Sequence, residues 1–415
     1  MATTVATTSR SGIVPASTKN LSLEGLRGLA ALGVVAAHFL FSFFPYLSKR
    51  FVDSVDIPQR YAIEKYLDYG ILGIFYNGSF QVSIFFVLSG YVIIGKFIRT
   101  GEPNVLWTAS LKRLPRLMIP VFFSCLFAYL LLSYGAMCTS NAVAIGGAGW
   151  PMAQYQEKIS FATMLQQSTL GVIFTKTYPL NSPLWTIRIE LIASFMLFAS
   201  YAFSGAKSPI KAFTFFSLAM LAFVPEGWQY YSLFILGSLI HYIRSVREEL
   251  ASLLILVSFY LGGYDNSFIY DPIRSVFGMV CAATSFDNAK SFCYLVGSVF
   301  LVTGIIHSKR AQSVLSFPAF VWLGRISFAM YLLHWPIICS LGFFMFYQFK
   351  IGLGWNHDMS GCATALVVII AVFGGSEIFT RIVDIPATSF SDYLARKTSK
   401  YFKRKFSSTP DEAIS

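Results

Sequence analysis

The chain has 415 residues, 55% of them hydrophobic and only 13% charged, with a mean hydropathy of +0.60, a composition that excludes a soluble globule and points to a polytopic membrane protein. A net charge of +12 suggests a nucleic-acid partner only where the cations gather on one surface, and their placement along this chain follows membrane topology instead. Six cysteines, Cys125, Cys138, Cys281, Cys293, Cys339 and Cys362, show no CxxC or other metal-ligand spacing, so no metal is expected and most read as small core residues; only Cys138 and Cys281 fall in loops on one expected side, where a disulfide would also need close Cα atoms.

Residues 1–20 are rich in Thr, Ser and Ala and lack the apolar core of a cleavable signal; they read as a disordered tail, and the first span serves as the insertion signal. That span, LEGLRGLAALGVVAAHFLFSFF at 23–44, carries Glu24, Arg27 and His38. An ionisable residue in a span costs about 2.5–3.5 kcal/mol on insertion scales and usually faces a protein interior or a watery cavity. Arg27 and His38 are eleven residues apart, which is three helical turns plus roughly 20°, so they share one stripe about 16 Å apart along the axis. Taken singly, Arg27 reads as a snorkelling cation and His38 as a hydrogen-bonded interhelical imidazole. Two on one stripe favour a site.

Ten apolar spans are expected in all, at 23–44, 79–95, 116–135, 184–204, 209–224, 228–243, 250–263, 291–307, 326–348 and 360–381, making an all-α integral membrane protein. With the N-terminus in the cytoplasm, the cytoplasmic segments hold 19 Lys and Arg residues against 9 on the other side. The excess obeys the positive-inside rule and places both termini in the cytoplasm. No nucleic-acid partner is needed; the expected partner is the lipid bilayer, and no feature of the sequence sets an oligomeric state. Two long connections, 45–78 and 136–183, fall on the outer side, where an external substrate would be recognised. The basic segment 387–415 reads as a cytoplasmic tail resting on anionic lipids.

Several residues within this frame carry chemistry. Arg113 and Arg116, at i and i+3 around Pro115, share a face at the start of the third span and suit bidentate contacts to phosphate, or ordinary cytoplasmic anchoring. Glu190, in an apolar run with Trp185 about a turn and a half before it, must be paired or protonated, and Arg188 two residues away faces elsewhere. Glu24 is placed to orient Arg27 or another cation. His334, followed by Trp335 and Pro336, is a site candidate or the mark of a kinked helix. Glu377 and Arg381, at i and i+4 with the acid first, read as a local ion pair, and Ser89 beside Gly90 reads as close helix packing. The NGS triplet at Asn77 sits at a span edge, a poor glycosylation position.

The motifs KNLSLEGLRGLAALGVVAAHF at 19–39, SIFFVLSGYVI at 83–93, LKRLPRLMIP at 111–120, PLWTIRIEL at 183–191 and RISFAMYLLHWPI at 325–337 occur in the order found in membrane-bound acyltransferase 3 proteins. Over about 20–386 the chain resembles that family, in the stand-alone form without a fused C-terminal esterase-like domain. It departs from the pattern at Glu24, where Asp is frequent, and at Arg188, where a small or hydroxyl residue is common. The resemblance implies transfer of an acyl group, commonly acetyl from acetyl-CoA, to a hydroxyl of a glycan or another small exported acceptor, in the plasma (inner) membrane. It implies His38, Arg27 and Glu190 as the catalytic set, Arg113, Arg116 and Arg27 as the acyl-CoA-binding cations, and Glu24, Trp185 and His334 as substrate-binding or supporting residues. His38 then serves either as general base on the acceptor hydroxyl or as a nucleophile carrying the acyl group; both routes stay open at this level. The alternative reading is a proton-coupled transporter or flippase in which Arg27, His38 and Glu190 form a relay.

Overall fold

The structure is a computed structural model and describes residues 20–50, 57–68, 70–148, 150–155, 158–175, 178–224, 226–265, 267–276 and 289–406. Residues 1–19, Cys281 with its suggested partnership to Cys138, and residues 407–415 lie outside the described residues. Among the described residues all regular structure is helical. The main helices are α1 Leu21–Phe43, α2 Gly78–Thr100, α3 Pro103–Ser133, α4 Trp185–Ser204, α5 Pro209–Phe223, α6 Trp228–Leu239, α7 Glu248–Gly262, α8 Ala289–His307, α9 Pro318–Ile337, α10 His357–Phe379 and α11 Ile385–Phe406.

Local chemistry sets their starts. The Asn20 side chain accepts hydrogen bonds from the backbone N–H groups of Ser22 and Leu23 and caps α1, satisfying donors that the first turn leaves open. α3, α5 and α9 open on Pro103, Pro209 and Pro318, whose fixed φ and missing N–H suit a first turn. Asn77 caps α2, accepting from the Phe80 N–H, and donates to the Gly262 carbonyl at 2.7 Å. It is fully buried, so the folded bundle leaves no room for a glycan on its amide.

Among the described residues, seven helical segments are long and apolar enough to cross a membrane: Leu21–Phe43, Gly78–Thr100, Pro103–Ser133, Ser182–Ser204, Ala289–His307, Pro318–Gly352 and His357–Ser399. The expected spans at 209–224, 228–243 and 250–263 fall on α5, α6 and α7, of 15, 12 and 15 residues. These are shorter than the roughly 17–25 residues of a typical crossing. Gly205 and Gly227, both at positive φ, break the apolar run on either side of α5 in a backbone region that glycine adopts at no steric cost.

α1 lies between two cores. One gathers Phe80, Phe86, Phe216 and Phe234; the other gathers Phe43, Phe44, Trp335, Phe343 and Phe346. α1 packs most extensively on α9, and glycine sets that distance: a Cβ on Gly28 would strike the backbone of Leu323 and Gly324, and one on Gly324 would strike the Glu24 carbonyl. Small residues at the crossing let two backbones touch, the usual device for packing helices where no water drives them together.

Side chains seat the described parts of the connections 45–78 and 136–183 on the bundle. The Tyr61 ring stacks on His357 with centroids 3.4 Å apart, His357 Nε2 meets the Phe43 carbonyl at 2.8 Å, and Lys350 Nζ donates to the Ile145 carbonyl at 2.8 Å. At the other end of the bundle, the segment expected as a tail from 387 is helical through Phe406 and lies antiparallel to α3. Lys112 pairs with Asp392 at 2.8 Å and Ser399 bonds to Asn104 at 3.3 Å.

Candidate active site

α1 supplies two functional positions on one stripe. Near its start, Arg27 donates to the Glu24 carboxylate at 2.9 Å, an i, i+3 pair that aims the guanidinium. Three turns on, His38 Nδ1 lies 3.0 Å from the Val34 carbonyl and the Ser42 hydroxyl donates to the His38 carbonyl at 2.7 Å.

α9 brings a second imidazole to the first. His334 Nε2 lies 3.3 Å from His38 Nδ1, and His334 Nδ1 lies 3.1 Å from the Met330 carbonyl. A carbonyl oxygen only accepts, so each ring carries its proton on Nδ1 in the neutral form. His334 Nε2 is then a second acceptor for the His38 Nδ1–H, and His38 Nε2 keeps its lone pair. That nitrogen has no hydrogen-bond partner among the described residues, and His38 is half-buried whereas His334 is fully buried.

Two indoles flank the pair. Trp335, fully buried, has its ring 5.3 Å from His38; Trp150, from the short helix Trp150–Gln154, stacks on Trp335 with centroids 4.8 Å apart and planes 7° from parallel. Gln154 fixes this arrangement, accepting from Trp335 Nε1 at 2.8 Å and donating to the Tyr178 carbonyl at 3.2 Å. Asn181 donates to the Leu332 carbonyl at 2.8 Å, tying the chain before α4 to α9 beside the histidines.

Toward the other end of α1 the helices part around a cavity of about 410 Å³. Glu24 and Arg27 from α1, Ser89 from α2, Arg113 and Arg116 from α3, Glu190 from α4, Arg325 and Tyr331 from α9, and Asp384, Ile385, Thr388 and Ser389 from the last segment line it. Arg113 is held between the Ser194 hydroxyl, at 2.9 Å, and the Glu190 carboxylate. Arg325 is drawn off by Glu377, at 2.7 Å, a carboxylate that Arg381 and the Trp322 indole also contact. Arg116 is exposed and makes no ion pair among the described residues. Tyr331, on the wall nearest His334, donates to the Pro183 carbonyl at 2.9 Å and accepts from the Thr186 hydroxyl at 2.8 Å. Its ring is 5.8 Å from that of His334.

The structure thus gathers Glu24, Arg27, Arg113, Arg116 and Glu190 around one cavity and places His38 with His334 just beyond its inner end. Trp185 does not join them: its ring packs on Tyr230 at 5.1 Å. Arg188 turns away from Glu190 and donates to the Ile173 carbonyl at 2.9 Å, as residues two apart on a helix must diverge. Sequence reasoning missed Ser194, although it lies one turn after Glu190 on the same face, and Tyr331, one turn before His334. It missed Trp150 and the four residues 384, 385, 388 and 389, whose place in the site depends on long-range packing.

Residues 20–380 match the family described as an acyltransferase domain, Acyl_transf_3. The chain is also 25% identical over 424 aligned residues to the O-acetyltransferase PaAT-1 of Phomopsis amygdali, covering 89% of this chain and 83% of that protein. No solved structure matches it. With five family motifs on the helices that form one cavity and one histidine pair, and with a family match over most of its length, this chain belongs to the acyltransferase 3 family and is a multi-pass membrane acyltransferase.

Proposed function

We propose that the protein transfers an acetyl group from cytoplasmic acetyl-CoA to a hydroxyl of a glycan or another small acceptor, with His38 as general base. Both termini lie in the cytoplasm of a plasma (inner) membrane protein, so the cavity lined by Arg27, Arg113 and Arg116 opens on the donor side and the histidines lie deeper. The observation that carries the reading is the continuity from cations to imidazoles: the cavity's inner wall, Tyr331, has its ring 5.8 Å from that of His334, whose Nε2 is 3.3 Å from His38. The PaAT-1 relative, an O-acetyltransferase by name, supports acetyl as the acyl group and oxygen as the acceptor atom.

CoA is a polyanion with a long flexible arm. Guanidinium groups at the cavity bind its phosphates in bidentate fashion, and the arm carries the thioester toward Tyr331. His38 Nε2 takes the proton of the acceptor hydroxyl as its oxygen attacks the thioester carbon. The new C–O bond forms, the C–S bond breaks, and the proton returns to the CoA sulfur. A neutral imidazole suits this exchange because its ordinary pKa, about 6.5, lets it take and return a proton near neutrality. His334, itself anchored on Met330, holds the His38 ring in position. Glu190 and Glu24 keep Arg113 and Arg27 extended into the cavity between turnovers.

The test uses purified protein in nanodiscs with labelled acetyl-CoA and a panel of glycosides and small alcohols. Acetylated product from wild type and none from a folded His38→Ala variant is the expected result; unchanged turnover in that variant removes His38 from the mechanism.

A further inference from the structure

α11 presents three faces. Ala387, Ser391 and Ala395, all buried, form one and let the helix close on α3; Phe390, Tyr393 and Leu394 are exposed on another, suited to lipid. The third continues the cavity wall. Ile385 and Ser389 line the cavity, and at about 100° per residue Asp392 and Arg396 fall within roughly 40° of the same line. Asp392 is neutralised by Lys112 at 2.8 Å. Arg396 is exposed, makes no ion pair among the described residues, and lies about 10 Å beyond Ser389 along the helix at 1.5 Å per residue.

The antiparallel register fixed by Lys112 with Asp392 and Asn104 with Ser399 sets the first turns of α3 beside the body of α11, so the two helices run outward together from the cavity. Arg116 stands at the cavity and Arg396 farther out. In the reading above the arm of the donor runs inward through the cavity toward Tyr331, which leaves the nucleotide at the outer end. Arg27, Arg113 and Arg325 at the cavity each share their charge with a carboxylate, Glu24, Glu190 and Glu377, so Arg116 is the cation there without a counter-charge among the described residues.

We propose that Arg396 on α11, together with Arg116 on α3, forms a phosphate subsite that binds the nucleotide end of the thioester donor along the outward run of these helices. The proposal rests on the acyl-CoA reading above and adds to it a recognition element from the segment that sequence presents as a tail. Guanidinium groups suit the task because each offers a planar fork of donors to phosphate oxygens. The subsite separates recognition of the nucleotide from the chemistry at His38.

Calorimetric titration of the full-length protein in nanodiscs with CoA, and separately with pantetheine, which has the arm but no nucleotide, tests this. Arg396→Ala is expected to weaken CoA binding about tenfold and leave pantetheine binding unchanged, with Arg396→Lys in between. Lys397→Ala, one residue on and turned about 100° away, is expected to bind both as wild type does. An equal loss for both ligands in Arg396→Ala, no loss for either, or an equal loss of CoA binding in Lys397→Ala overturns the subsite while the acyl-CoA reading stands. Wild-type protein that binds pantetheine but not CoA, or neither, overturns the acyl-CoA reading and the subsite with it.

Discussion

His334 Nε2 lies 3.3 Å from His38 Nδ1, while each imidazole keeps its own i−4 carbonyl, Met330 and Val34. One proton on His38 Nδ1 therefore has two acceptors, and the ring is held with Nε2 open. The two histidines then have unequal roles. A general base contributes roughly 10²–10⁴-fold, so His38→Ala is expected to lower kcat by at least about a hundredfold. His334→Ala removes an orienting acceptor and is expected to lower kcat by about tenfold with donor KM unchanged. Steady-state kinetics on variants that elute as monodisperse protein decide it. If His38 instead carries the acyl group, labelled acetyl-CoA without acceptor will leave label on the wild-type protein and none on His38→Ala.

The pairing of Arg113 with Glu190 gives a second expectation. Both side chains are largely buried, at 11% and 15% exposed, and removing one partner of such a pair leaves an uncompensated charge. Glu190→Ala and Arg113→Ala are each expected to lower thermal stability, and the double variant to lose less than the sum of the two. A coupling within the roughly 0.5–3 kcal/mol typical of contacting residues is the expected outcome of the double-mutant cycle. Additive losses would show that the pair does not act as a unit. Arg113→Ala is also expected to raise the KM for acetyl-CoA, whereas a defect equal at all donor concentrations would assign Arg113 to anchoring.

Much of this arrangement was legible in the sequence because helical periodicity is local. The spacing of Arg27 and His38 placed them on one stripe, and the motif around Arg113 and Arg116 placed two cations on one face. Glu190 was recognised as needing a partner, but the partner, Arg113, is 77 residues away and no local rule reaches it. Trp185 was grouped with Glu190 by proximity in sequence, whereas its ring turns to Tyr230. The basic run beyond 387 read as a tail because its hydropathy is low. Only the packing of Ala387, Ser391 and Ala395 on α3 reveals a wall of the cavity. The apolar runs of α5, α6 and α7 were seen correctly as helices, but composition does not weigh a 12-residue helix against a full crossing.

The contact between α1 and α9 carries its own prediction. Gly28 and Gly324 face each other's helices so closely that any Cβ would meet backbone atoms of the partner, and backbone cannot rotate aside as a side chain does. Gly324→Val is expected to force the helices apart and displace His334 relative to His38. The expected result is loss of monodisperse protein on size-exclusion chromatography, or folded protein with activity as low as that of His38→Ala. Gly354, in a turn at positive φ with open space around it, tests a different cost: Gly354→Ala is expected to destabilise by only about 1 kcal/mol, from backbone strain, and to keep activity. Wild-type behaviour of Gly324→Val would show that the α1–α9 distance is not set by this crossing.

At the start of α7, Glu248 accepts the Ser308 hydroxyl at 2.5 Å and the Lys309 N–H at 2.9 Å. These bonds favour the ionised form and hold the carboxyl below its ordinary value. A carboxylate whose folded pKa lies below its unfolded one adds stability above the unfolded pKa, about 4.3 for Glu, and loses it as pH falls through the folded value. The melting temperature of Glu248→Gln is therefore expected to lie slightly below that of wild type from about pH 5 upward, and the difference to close as pH falls below about 4. The effect is small because the carboxylate is only partly buried and water screens it. Ser308→Ala removes the strongest of these bonds and is expected to shift the point of closure toward higher pH. Melting curves of the three proteins between pH 3 and 8, about one pH unit apart, read this directly; a gap that persists unchanged to the lowest pH would show that Glu248 acts by packing and not by charge.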